Sequence, residues 1–337
     1  MLFRSSGTAS STFNNTSSLS WHTGGTSTFS TGNDTLTNGS SGLIATTGAT
    51  TFDFGNGTNA INNNGMIVIG ETSGASSLTI LEGALGVNTL TNTGTIAFGS
   101  LNSGSSSDGQ ANDQLLAGTT DYVSSGTSSR FLIDANLGNG ADLQTTCTTL
   151  SAQADCAVIG ASSVVGTGST GTRITVNDIS GGPGTLNLTG TVVVDATSGL
   201  ADDFHLSLAD SNVTSTPQGL AIQKGFIQYQ LLFDSANKNW DLVGLPAASA
   251  VQLSKLTAGL QTMWYATADG WVERTAAVRH DYAANGDADA PKLAAANTSS
   301  GWSIWAKGYY GQYDRDSNYS LSVLGNTISY DTSYSQT

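Results

Sequence analysis

Three stretches of the chain carry one alternation of polar and apolar positions: "GNDTLTNGSSGLIA" from Gly32, "GTNAINNNGMIVIG" from Gly57 and "GVNTLTNTGTIAFG" from Gly86. Each reads Gly, any residue, Asp or Asn, any residue, Leu or Ile, any residue, Asn. A Gly and a short β-rich run holding Ile44, Ile67 or Ile96 follow. Alternation with a period of two predicts half-buried strands. The copies start 25 and 29 residues apart, the length of one coil in a parallel β-solenoid. In such a coil Leu36, Ile61 and Leu90 stack on one another, as do Ile44, Ile67 and Ile96. Asn38, Asn63 and Asn92 fall at the bends, where amides bond along a ladder and tolerate left-handed backbone. Gly65 and Gly94 are expected to supply φ values that other residues resist. Mixed polar and β-branched runs continue through "FLIDANLG", "TRITVNDISG" and "TLNLTGTVVVDA", so the coils are expected to occupy residues 1–200.

The pattern changes twice more. In "FIQYQLLFDSANKNWDLVG", from Phe226, Tyr229, Leu231 and Phe233 share one face, and Trp240 and Leu242 follow a polar turn. This predicts a β-hairpin with one apolar face within residues 201–246, suited to cap the open edge and stacked core of the last coil. After Pro246 the period becomes helical. Leu253, Leu256, Leu260, Met263 and Trp264 recur at three- and four-residue steps, and Trp271 and Val278 extend the stripe. A helix is expected over residues 247–284, with Gly259 or Gly270 as candidate breaks and the Asn285–Gly286 pair as its stop. About thirty helical residues within this segment span roughly 45 Å, enough to thread a membrane's thickness, but Lys255, Asp269, Glu273, Arg274 and Arg279 keep the helix out of lipid and suit a water-filled pore. Residues 285–337 turn aromatic. In "GWSIWAKGYYGQY", Trp302, Trp305, Tyr309 and Tyr310 cluster at the two ends of an alternating strand, the aromatic girdle of an outer-membrane barrel. "TISYDTSYSQT" follows as the start of a partner strand.

Composition narrows the function. Charged residues are 11% of 337, and 41 Gly against 4 Pro favour short strands joined by tight turns. A formal charge of −14, with only Arg4, Arg130 and Arg173 basic before residue 224, excludes nucleic acid and polybasic attachment to anionic lipid. Cys147 and Cys156 in "CTTLSAQADC" have no further zinc-type ligand nearby; a small disulfide loop fits better and implies an oxidising compartment. Closing so short a loop adds roughly 2–3 kcal/mol. "MLFRSSGTAS" lacks the apolar core of a signal peptide, and no run of 18 apolar residues exists.

Candidate chemistry is sparse. Gly32 to Leu36 echoes a calcium-binding nonapeptide, but the second and third copies carry Asn59 and Asn88 where shared ions need Asp, which favours a structural ladder. Asp202 and Asp203 adjoin His205, yet strand neighbours point to opposite faces, and a solvated turn is expected there. His22 and His280 are isolated, and no G-x-S-x-G elbow occurs. These residues predict no catalytic constellation, no metal and no cofactor.

In this order the segments resemble the C-terminal half of a bacterial autotransporter (type V secretion), over essentially the whole chain. "GNDTLTN" and "NNGMIVIG" look like its β-helical passenger and "YQLLFDSANKNWDLVG" like its junction or autochaperone. "MWYATADGWVERTAAVR", with Trp264, Trp271, Arg274 and Arg279, looks like the linker helix of the pore, and "WAKGYYGQY" like the first translocator strand. The resemblance implies an all-β fold: a right-handed parallel β-helix, one α-helix and the first strands of an incomplete barrel. It implies outer-membrane lipid and barrel-assembly machinery as partners, and a passenger at the cell surface whose ligand is open. A complete barrel of about twelve strands needs more residues than the 37 after residue 300, so the chain is expected to be a piece truncated at both ends. No Asn lies between Ser249 and Tyr282, so the self-cleavage some members perform within the pore helix is not expected. The expected role is a non-catalytic surface stem with its secretion apparatus. A surface adhesin and a β-helical polysaccharide-active enzyme are the alternatives.

Overall fold

The computed structural model describes residues 10–16, 18–21, 25–29, 31–70, 74–99, 109–138, 144–148, 153–166, 170–284, 313–315, 318–331 and 334–336. The fold is mostly β. Strands follow one another in triplets: β1 (Thr12–Asn15), β2 (Ser18–Trp21), β3 (Gly25–Thr28); β4 (Thr35–Asn38), β5 (Leu43–Thr46), β6 (Ala49–Asp53); β7 (Gly57–Asn63), β8 (Met66–Ile69), β9 (Ser77–Leu81). The series continues with β10 (Gly86–Asn92), β11 (Thr95–Phe98), β12 (Gln114–Ala117); β13 (Asp121–Ser125), β14 (Arg130–Ala135), β15 (Cys156–Ile159); β16 (Ser162–Val165), β17 (Thr172–Asp178), β18 (Asn187–Ala196); and β19 (Phe204–His205).

Each strand as far as β15 pairs in parallel with the strand three places on, and β17 with β19, which gives three sheets among the described residues. The first runs β1-β4-β7-β10-β13-β16 and the second β2-β5-β8-β11-β14-β17-β19. The third runs from β3 through β6, β9, β12 and β15 to β18. Register follows the sequence repeat. Leu36 pairs with Ile61 and Ile61 with Leu90; Ile44 pairs with Ile67 and Ile67 with Ile96. All six are at most 3% exposed and belong to one core cluster with Phe52, Phe54, Phe98 and Phe131. Like residues stacked at the strand spacing bury their apolar surface without a change of shape from one triplet to the next.

Two expectations about the bends are corrected. Asn38, Asn63 and Asn92 end their strands as buried residues without positive φ, and among the described residues the non-Gly residues with positive φ are Lys238 and Leu324 instead. Gly65 and Gly94 do not have positive φ either. Their lack of a side chain answers a close approach: a Cβ on Gly65 would lie 2.3 Å from the Gly39 carbonyl oxygen, and one on Gly94 2.1 Å from that of Gly65. The backbones at this corner touch, and only hydrogen fits between them.

The third sheet does not stop at β18. It continues antiparallel through β23 (Asn239–Pro246), β22 (Ile227–Asp234), β21 (Gly219–Lys224) and β20 (Val213–Thr216). The expected two-stranded hairpin is therefore the end of a four-stranded meander. Nor does it have a single apolar face. Tyr229, Leu231, Phe233, Trp240 and Leu242 pack with the core, but β23 is buried on both sides, with Asp241, Val243 and Leu245 no more than 3% exposed on the other. Alternation alone reported one face because the opposite one carries Gln228, Gln230, Asp234 and Asp241, polar residues that are nonetheless buried.

The chain divides into two compact units, Met1–Ala248 with Ser320–Ile328, and Ser249–Tyr319 with Ser329–Thr337. Helix α1 (Ala248–Ala284) is continuous for 37 residues, and neither Gly259 nor Gly270 breaks it. It is not long and apolar enough to cross a membrane, a statement that leaves β-barrels untouched. Four short strands follow among the described residues: β24 (Tyr313–Arg315) pairs antiparallel with β27 (Tyr334–Gln336), and β25 (Asn318–Val323) with β26 (Asn326–Asp331) forms a two-stranded sheet.

Candidate functional site

The residues the sequence singles out meet in two buried amide ladders. In the first, Asn15 Nδ2 donates to Asn38 Oδ1 at 2.9 Å, Asn38 Nδ2 to Asn63 Oδ1 at 2.8 Å and Asn63 Nδ2 to Asn92 Oδ1 at 2.8 Å. The second proton of each rung bonds a main-chain carbonyl one triplet on: Leu43 for Asn15, Met66 for Asn38 and Thr95 for Asn63. Every amide proton thus has a partner, which is what makes an asparagine tolerable at zero exposure. The second ladder occupies the weighed calcium positions. Asn59 Oδ1 accepts from the Asp34 amide at 2.9 Å, and Asn59 Nδ2 donates to Asn88 Oδ1 at 2.9 Å. No cluster of three or more His, Cys, Asp or Glu fit to hold a metal occurs among the described residues.

The first ladder ends on hydroxyls. Asn92 Nδ2 donates to Tyr122 Oη and Ser129 Oγ, both at 3.0 Å, and these two oxygens and Thr172 Oγ1 lie 2.7–3.1 Å apart. Burial raises the Tyr122 pKa, so the phenol stays protonated and the cluster acts as a structural knot.

Buried carboxylates carry the next corner, and sequence reasoning missed them. Asp113, Asp134 and Asp155 are all unexposed. Asp155 accepts from the amides of Asp113 at 2.9 Å and Asp134 at 2.7 Å; Asp113 Oδ1 accepts from the Ser76 amide, and Asp134 from the Gly109 amide and Asn177 Nδ2. Burial, and then the charge of Asp113, push Asp155 well above the usual carboxylate range. In the third sheet burial, Asp234 and Asp195 push Asp241 up to about 7, and burial raises Asp195. Single aspartates 21 or more residues apart leave no motif; only the register brings them together.

These shifts set the sign of the pH dependence. Asp155, Asp195 and Asp241 bind protons more readily folded than unfolded. They stabilise the fold fully below the unfolded carboxylate range near pH ~4, and that contribution is lost as pH rises, through about 7 for Asp241. Asp178 acts in the opposite sense. Burial raises its pKa, but bonds from Lys224 and Ser180 outweigh burial, so its smaller contribution is lost as pH falls. The melting temperature is expected to rise by several degrees from pH 8 to pH 5, and Asp241→Asn to flatten the upper part of the profile. A melting temperature that climbs from pH 5 to pH 8 would contradict this reading of the buried carboxylates.

The remaining predicted residues separate. Cys147 and Cys156 form a disulfide with Cα atoms 5.4 Å apart, packed with Val192, and Gln114 Nε2 bonds the Cys147 carbonyl at 2.6 Å. Asp203 is not in a solvated turn. It is 2% exposed, and Oδ2 accepts from Ser162 Oγ at 2.9 Å and the Leu200 amide at 2.8 Å, while Asp202 is exposed. The reason is that Asp203 closes a tight turn back onto the strand of Ser162. Trp264 and Trp271 are 71% and 73% exposed on α1, Arg274 is half-buried and Arg279 exposed. Trp302, Trp305, Tyr309 and Tyr310 lie outside the described residues, as does His22. A shallow pocket of about 230 Å³ is lined by Ala49, Ala75, Ser76, Ser77, Asn112, Gln114 and Thr148, none of them an acid or base. No protein-family profile matches the chain, and no curated protein sequence matches it.

Proposed function

We propose that the chain is the β-helical stem of an autotransporter passenger, followed by its junction, its pore helix and the approach to its outer-membrane translocator. It is a non-catalytic spacer held at the cell surface. The observation that carries this reading is the order of elements. Strands pair in parallel from Thr12 to His205, three places apart as far as β18 and then β17 with β19, an antiparallel meander follows to Pro246, and a 37-residue helix comes next.

Each element supports the reading physically. A parallel β-helix grows by stacking identical rungs, so it gives length without a large globular core. Parallel edges at its end bind further strands, and an antiparallel meander removes that hazard. Polar exposed faces with few charges suit a stem that must pass through a pore unfolded and then fold outside, with its disulfide closing in an oxidising space. The helix carries exposed Trp264 and Trp271 together with Arg274 and Arg279, a mixture suited to a polar channel wall.

Fractionation of the cells that make the protein tests the proposal. The chain is expected in the outer-membrane fraction, with residues 1–246 removed by protease added to intact cells. Recovery from the cytoplasm, fully protected until lysis, would overturn it.

A further inference from the structure

On the outer face of the second sheet one column of side chains departs from the acidic character of the chain. Arg130 on β14 and Arg173 on β17 stand in register on adjacent strands, and His205 on β19 pairs with Arg173. Their neighbours Phe131 and Ile174 point into the core, so the guanidinium groups point outward, and the side chains are 30% and 27% exposed. One carboxylate faces both. Asp210 lies 3.6 Å from Arg130 Nη2 and 3.8 Å from Arg173 Nε, and its own side chain is 5% exposed. Thr175 joins them: its Oγ1 accepts from Arg130 Nε at 2.9 Å and is 3.0 Å from each Asp210 oxygen.

The charge of this corner is unbalanced. Two guanidinium ions share one carboxylate, and burial and then Arg173 lower the pKa of Arg130 against the pull of Asp210. Burial first and Arg173 next lower the pKa of His205, and an imidazole, neutral or protonated, does not offset the guanidinium charge. Hydrogen bonding is incomplete too. Among the described residues the Arg173 side chain meets Asp210 only as a long ion pair, and its Nε and the Nδ1 of His205 are buried without a hydrogen-bond partner. A fixed, half-buried fork of N–H groups with surplus positive charge is the arrangement that accepts a planar or tetrahedral oxyanion.

We infer that Arg130 and Arg173 form a binding site for an oxyanion group, a carboxylate, sulfate or phosphate, beside which Asp210 acts as the built-in competitor. Two sources present that chemistry: a free inorganic anion, and the acid group of a sugar polymer reaching the outer face. The site is independent of how the chain reaches the surface, so it stands or falls separately from the proposed function.

The test is titration calorimetry of the full chain at low ionic strength, with inorganic phosphate in one arm and an oligomer of uronic acid in the other. At least one is expected to bind with a dissociation constant near or below about 1 mM, and salt is expected to weaken it. Arg173→Gln is expected to weaken binding about tenfold or more. Asp210→Asn is expected to tighten it about three- to tenfold by removing the competing charge. Oligomer binding tighter than phosphate, lost in Arg173→Gln, assigns the site to a polymer; phosphate binding alone, lost in the same variant, assigns it to the free ion. Should Arg173→Gln fail to fold, Asp210→Asn carries the decision. No binding in either arm, or an affinity unchanged by Asp210→Asn, overturns the inference.

Discussion

Replacing Asn63 by alanine is expected to lower the unfolding free energy of the first unit by about 3–5 kcal/mol. Asn63 is the middle rung of the longer ladder and has no exposed surface. Its Oδ1 accepts from Asn38, and its two amide protons go to Asn92 Oδ1 and the Thr95 carbonyl. Deleting the amide strands one donor and two acceptors at once, in a place water does not reach, and each such buried group costs about 1–3 kcal/mol. The three losses are not additive, since the chain of amides is polarised along its length and is cut at one point. Asn62→Ala, one residue away and half-buried, is expected to cost less than about 1 kcal/mol. Urea titration of both variants checks the contrast. A loss below about 1 kcal/mol for Asn63→Ala would mean that the ladder is decorative.

The second large effect is expected at Trp240. Its ring is 1% exposed, with centroids 4.7 Å from those of Phe204 and Phe233. It belongs to β23, the strand that turns the third sheet from parallel to antiparallel pairing. Trp240→Ala is expected to cost about 3–5 kcal/mol, because a side chain of this size leaves a cavity that two neighbouring strands cannot close. A second consequence follows from its position. With the meander loosened, the edge of β18 and the core behind it open, so binding of a hydrophobic dye is expected to rise well before the global transition. A loss below about 1.5 kcal/mol, with no gain of dye binding, would contradict the capping role proposed for the meander.

What the sequence revealed depended on repetition. Leu36, Ile61, Leu90 and their asparagines recur at nearly constant spacing, so stacked strands were readable without any structure. Alternation also pointed to the strand pair around Trp240, but not to its neighbours β20 and β21, whose short runs lack an apolar stripe. The glycines were misread because a close approach and a positive φ leave the same mark in a sequence. At Gly94 the structure tells them apart: its φ is not positive, and a Cβ there would lie 2.1 Å from the Gly65 carbonyl oxygen. The buried aspartates left no mark at all. Asp113, Asp134 and Asp155 lie on three different strands or their edges, and an isolated Asp in a polar loop reads as solvated until the fold removes the water. Arg130 and Arg173 were noticed only as rarities in the charge count, while their shared partner Asp210 is 37 residues beyond the nearer of them.

The most direct measurement of the proposed surface role is chemical labelling of intact cells that make the protein, using a membrane-impermeant thiol reagent. Two single substitutions are compared: Leu85→Cys, at a turn position where the leucine is 84% exposed, and Trp264→Cys on the long helix. A surface stem with its helix in a pore predicts rapid labelling of Leu85→Cys from outside, and labelling of Trp264→Cys only after the cells are dissolved in denaturing detergent. Protection of Leu85→Cys in intact cells, with full reaction after lysis, would contradict the account.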